Sequence, residues 1–377
     1  MNRPHRANSR HLFLTLDFFW ACLLVTATLS GAARAQDTPA PPTPTLGAAG
    51  VIPSSLITSV ALAPEDLTTI NNYVAQQVAL LSDPANMSLG RNHLIASSTA
   101  TQPGPSAAFS QAYDSALNGA LLVALGNSSP DVRLNAAIIA AKATFNAKTA
   151  NVASAALAPL ILKLINDRDD ATCLWAIKAA GNVVVPALAA RNPALLNAIV
   201  PAVIAHGYKG PMVDEAYQAL DPSAAAGNSA VQQALIGQIL DLFAKRVAIC
   251  ATQVPDAPSA ERWASLFLSN RGNWTVMNAS QQLQTMQLIV NTIALISQHA
   301  QGKNLDPDLR AELIFTVNKT AEGIDVVSLT IGDASLQAAA RNLEHSQPPQ
   351  FLALIPPLVS AVQAAKFNIT APPTVKP

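Results

Sequence analysis

A 40-residue spacing between like-patterned helix pairs constrains this chain more than any other feature of its sequence. The clearest pair fills residues 151–182: an apolar helix, an acidic corner at Asp167, Asp169 and Asp170, then a second apolar helix. A shift of 40 residues lays Val132, Ala136 and Ala140 over Thr172, Ala176 and Ala180, and a further 40 lays them over Met212, Ala216 and Leu220. The preceding helices follow, with Leu121, Leu122 and Leu125 over Ile161, Leu162 and Ile165. A two-helix period of this length marks a stacked repeat, in which no pair buries its apolar face alone. Small residues on each second helix predict that neighbouring helices approach closely.

The rest of the chain reads as helices of the same kind. Pro64-Glu65-Asp66 opens one, since proline suits a first turn and acids suit the positive end of the helix dipole. Helical spacing continues through residues 107–125, about 229–250, about 279–301, and a last pair at 333–345 and 349–367. Another helix starts at Asp306-Pro307-Asp308 and is expected to stop at Gly323, with residues 326–331 readable as one short strand.

Residues 157–182 resemble one HEAT repeat. The likeness rests on Leu157-Ala158-Pro159-Leu160 with its mid-helix proline, on Leu164-Ile165-Asn166-Asp167 at the corner, and on Ala176 and Ala180 behind it. The copy before it has Val132-Arg133, where the family favours a valine–arginine pair; the central copy has Cys173 at the arginine position. The third copy has Gly207 and Val213 at the aspartate and arginine positions, and its proline, Pro201, is displaced by two. The resemblance is good over 157–182, fair over 115–221 and weak elsewhere. It implies an all-α fold, a right-handed α-solenoid of antiparallel helix pairs, and no particular activity.

The first 35 residues are patterned as a secretory signal. Arg3, Arg6 and Arg10 form a basic start, residues 18–25 an apolar centre, and Ala33-Arg34-Ala35 a small-x-small cleavage site. An uncleaved N-terminal anchor is the alternative reading. Residues 36–56 are rich in proline, threonine and small residues and read as a flexible spacer. The helical-repeat domain is then expected over 57–367 and a disordered tail over 368–377. No later stretch holds 18 uncharged apolar residues, so no membrane span is expected once the signal is removed.

Charge narrows the partners. The leader holds four of the 23 basic residues (Arg3, Arg6, Arg10, Arg34) and one of the 23 acidic ones (Asp17), so the remainder carries a net −3. Nothing in that balance attracts a phosphate backbone, and nucleic-acid binding is not expected.

Chemistry-bearing motifs are absent. His93, His206, His299 and His345 stand far apart and fit no metal-ligand spacing. There is no phosphate-binding loop and no nucleophile elbow. No cofactor is expected. Cys173 and Cys250 are readable either as a disulfide formed in an oxidising compartment or as two separately buried thiols. Trp263 and Trp274 flank a turn and are expected to be exposed, while Trp175 is expected to cover the edge of the core.

The sequence therefore predicts an exported, non-catalytic scaffold of the periplasm or cell exterior that binds an unidentified protein. Arg133, Lys178, Asp214, Glu215 and Gln218, polar residues on second helices, are the expected partner-binding set. The alternative is a secreted helical-toroid enzyme using groove carboxylates on a polysaccharide.

Overall fold

A computed structural model describes residues 51–99, 104–127, 129–149, 155–189 and 193–375. The predicted signal, the first part of the spacer and the last two residues lie outside the described residues. Among the described residues every regular element is helical. In chain order these are α1 (Ser54–Ile57), α2 (Pro64–Ala79), α3 (Met87–Ser98), α4 (Ala107–Ala124), α5 (Pro130–Thr149), α6 (Ala158–Ile165), α7 (Asp170–Ala189) and α8 (Pro193–His206). There follow α9 (Met212–Ala219), α10 (Ser229–Cys250), α11 (Glu261–Ser269), α12 (Arg271–Val276), α13 (Ala279–Ala300), α14 (Pro307–Ile331), α15 (Ala334–Glu344) and α16 (Pro348–Ala364). None of the helices is long and apolar enough to cross a membrane.

Helix starts follow the local chemistry. Asp66 accepts from the Ala63 N–H ahead of α2, Asn278 caps α13 by accepting from Gln281 N, and Asp306 accepts from two amides at the start of α14. Most helices touch the one that follows and the next but one. Thus α2 packs on α3 and α4, α3 on α5, α5 on α7, α6 on α7 and α8, and α7 on α9. Further along, α10 packs on α13, α13 on α14 and α16, α11 on α14, and α15 on both α14 and α16.

One close contact runs through α5, α7 and α9. Ala136, Ala140, Ala176, Ala180 and Ala216 are fully buried there. At Gly181 a methyl group would lie 2.9 Å from the Ala219 Cα, so the backbones of α7 and α9 meet without side chains between them. Bulk is supplied from α6, whose Leu160, Ile161, Leu164 and Ile165 are buried.

Polar contacts join the layers. Arg133 Nε meets Asp167 at 2.8 Å, linking α5 to the corner before α7, and Asp169 caps α7 by accepting from both the Thr172 N–H and its hydroxyl. Those two bonds hold the Asp169 carboxyl below its usual range. Forty residues on from Arg133 stands Cys173, whose thiol donates to the Ile165 carbonyl at 3.2 Å. Where the loops lengthen, a fully buried Arg246 takes over. Its guanidinium reaches Glu261 at 2.6 Å, the Tyr208 carbonyl, and the Oδ1 and backbone carbonyl of Asp256, while the Tyr217 hydroxyl donates to Glu261. A buried charge needs such complete pairing.

Three expectations are corrected. Gly323 does not end α14, which runs on to Ile331 and stops at Gly332 with φ 74°, so residues 326–331 are helix and not strand. Gly323 is needed because Ser265 and Ser269 of α11 press on that point. The spacer also ends early, since Ile52 and Leu56 are buried. Residues 368–375 form no helix, but they lie bonded along α13 where a disordered tail was expected; Gln287 and Gln298 satisfy the backbone that a proline-rich segment cannot satisfy itself.

Replacing Gly119 of α4, which has open space beside it, by alanine should raise stability by about 0.5–1 kcal/mol. Gly181→Ala should instead lower it, by about 1–3 kcal/mol, because the added methyl meets backbone. Urea unfolding of both variants checks this; equal shifts would show that α7 and α9 are not in contact there.

Candidate functional site

The expected partner-binding residues divide between two environments. Lys178, Glu215 and Gln218 line a groove of about 360 Å³ that crosses α5, α7 and α9. Arg133 and Asp214 do not. Arg133 is committed to Asp167, and Asp214 is half-buried on the flank of α9 away from the groove lining.

Helical spacing assembles the groove. On α7, Trp175, Lys178 and Asn182 stand three and four residues apart and share one face. Lys142 and Phe145 enter from α5, and Glu215 and Gln218 from α9. The Trp175 ring lies beneath two ammonium groups, Lys178 Nζ at 4.9 Å and Lys142 Nζ at 5.9 Å from its centroid. Lys178 is then fixed from the other side by Glu215 at 3.1 Å. Asn182 donates to Thr144 Oγ1 and to the Lys178 carbonyl, tying the floor of the groove to α5. Phe145 is left 53% exposed at its edge.

The arrangement offers an aromatic face, a free aromatic edge, two cations, one carboxylate already paired, and two carboxamides. That mixture suits recognition of another polypeptide. A larger depression of about 540 Å³ between α2 and α4 is lined by Leu62, Leu67, Ile70 and small or amide side chains, with no charged group.

Lys142, Phe145 and Asn182 were not singled out from sequence. The signal was an aromatic beside charged and amide residues late in α5, outside the stripe that the repeat aligns. Trp175 does stand at the edge of the core, but its ring faces the groove. Trp274 is buried at 3% exposure and stacks edge-on against Phe367, contrary to the expectation of exposure. Trp263 is half-buried, with Arg262 over its ring.

Both described cysteines are free and buried, so the disulfide reading is replaced by that of two separate thiols. Cys173 faces the Ile165 carbonyl and Cys250 lies at the end of α10, under His299, whose ring donates to the Cys250 carbonyl. Among the described residues no group of His, Cys, Asp or Glu is arranged to hold a metal. His93 bonds Gln77 and His206 bonds Asn166, as isolated histidines do.

No protein-family model matches the chain, and no curated protein matches it in sequence.

Burial, aided by Asp170, Asp167 and Asp169, pushes the Cys173 thiol up to about 11, and burial pushes Cys250 higher. At pH 8 neither should react with a maleimide in the native chain, and both should react in denaturant. Rapid labelling of Cys173 in the folded protein would contradict the burial described.

Proposed function

We propose that this chain is an exported, non-catalytic scaffold: a right-handed α-solenoid of HEAT-like helix pairs that binds a second protein through the α5–α7–α9 groove. The observation that carries the reading is the ordered cluster of Phe145, Trp175, Lys142 and Lys178 on three neighbouring helices. Contacts of each helix from α4 to α8 with the next and the next but one support the solenoid, as does the 40-residue period. Export rests on the basic-apolar-small pattern of the first 35 residues.

Recognition follows from the groove's chemistry. Phe145 and Trp175 supply apolar area of the kind that dominates interface energetics, and the two lysines select acidic side chains beside it. The partner surface is therefore an apolar segment carrying acidic residues. Glu215 holds Lys178 in place over the ring, so little side-chain freedom is lost on binding.

Capture from a cell-envelope fraction with the full-length chain tests the reading. Trp175→Ala and Lys178→Ala should each lower recovery of a specific protein by about tenfold or more. Val123→Ala, on an exposed position of α4 outside the groove, should leave recovery unchanged. The same captured set for all four chains would overturn the assignment of the groove.

A further inference from the structure

The face of α13 that is not buried is narrow and regular. Between Thr285 and Ala300 every residue of this helix is buried except Gln287, Asn291 and Gln298, which are half-buried and lie on one side of it. The chain's own C-terminal segment covers that side. Gln287 accepts from the Thr370 N–H at 2.7 Å and from its hydroxyl at 3.0 Å, and donates to the Thr370 carbonyl at 3.2 Å. Gln298 donates to the Pro373 carbonyl at 3.3 Å and accepts from the Val375 N–H at 2.8 Å. Asn291 accepts from Gln287 Nε2 at 2.8 Å, which sets the orientation of that amide.

The spacings of helix and segment match. Gln287 and Gln298 are separated by about three turns, or roughly 16 Å of helix rise. Thr370 and Val375 are five residues apart, which is also roughly 16 Å in an extended or polyproline conformation. The prolines sit where no amide is used: Pro372 and Pro373 hold the segment extended, and the bonded N–H groups belong to Thr370 and Val375. Apolar anchors complete the contact. Ile369 is buried, and Phe367 meets Trp274 edge-on at 5.8 Å between centroids. The segment leaves α16 through Lys366, whose φ of 71° is a left-handed conformation disfavoured for a residue with a side chain.

We propose that this face of α13 is a peptide-binding cradle that reads an extended segment by its backbone, and that its partner in trans is the C-terminal segment of a second copy of this chain. The occupant seen in the structure is chemically the same in either copy, so the cradle is complementary to both. In a single chain the tethered segment competes at an effective concentration on the order of millimolar, so exchange between copies requires crowding or release of the segment. The cradle also discriminates. Residues 39–44 repeat the Ala-Pro-Pro-Thr core of residues 371–374, but Pro39 and Pro44 stand where Thr370 and Val375 donate. Three of the five bonds to α13, from the Thr370 amide and hydroxyl and the Val375 amide, are therefore denied to that second copy of the motif.

Two complementary full-length variants test this. Thr370→Pro/Val375→Pro disables the segment and leaves the cradle open; Gln287→Ala/Gln298→Ala disables the cradle and leaves the segment free. Because the first variant has no amide at either position, exchange at amides 370 and 375 in a mixture reports only the second chain. Mixing should slow hydrogen exchange at both amides by about tenfold or more and produce a one-to-one complex in sedimentation, while each variant alone stays monomeric. Peptides of residues 368–375 should compete, and peptides of residues 37–44 should not. Unprotected amides in the mixture, with both variants retaining the helical signal of the parent, would overturn the proposal.

Discussion

The fold depends on side chains small enough to let helices touch. Alanine and glycine on α5, α7 and α9 bring three helices into one closely packed layer, and Gly181 lets α7 meet α9 at Ala219. Close approach gives dense dispersion contact but little hydrophobic area per residue, so bulk must come from the facing layer. It does, from the buried leucines and isoleucines of α6 and α10. Because α5, α7 and α9 lie so near one another, side chains at their outer edges converge. The groove at Trp175 is a consequence of that convergence and not a separate invention.

Polar groups secure the layers at points where apolar contact alone would permit sliding. The Arg133–Asp167 pair fixes one step, and the buried Arg246 fixes the region where the repeat loses its even spacing. The two devices differ in cost. The first is a partly buried pair that can relax toward water; the second is a desolvated charge whose stability depends on every one of its partners. The Cys173 thiol makes only a weak hydrogen bond, and the α7–α9 step is secured by Gly181 and by Lys178 with Glu215.

Much of this was legible in the residues. The helix pairs and the acidic corner follow from periodicity and capping chemistry, whereas Arg133, expected to meet a partner, is paired with Asp167 instead. Three members of the groove were legible because polar residues on a second helix must face outward. What escaped depended on contacts distant in sequence. Gly323 has the local signature of a terminator, yet it is explained by the two serines of α11. Trp274 is hidden by Phe367, more than 90 residues later in the chain. The terminal segment has the composition of disorder, and its backbone finds partners in two glutamines three turns apart on α13 and in Gln363 of α16. Asp214 has the same local character as Glu215, but one step along a helix is about 100° of rotation and leaves it outside the groove.

A stack in which helices depend on their neighbours should lose structure locally. Phe351 is fully buried in α16, and Phe351→Ala should cost about 3–5 kcal/mol at that end. Native-state hydrogen exchange of this variant is the most direct measurement. Faster exchange confined to α13–α16, with α5 and α7 protected as in the parent, is the result the stacked arrangement predicts. Equal loss of protection in α5, α7 and α16 would mean a single cooperative core, and would contradict it.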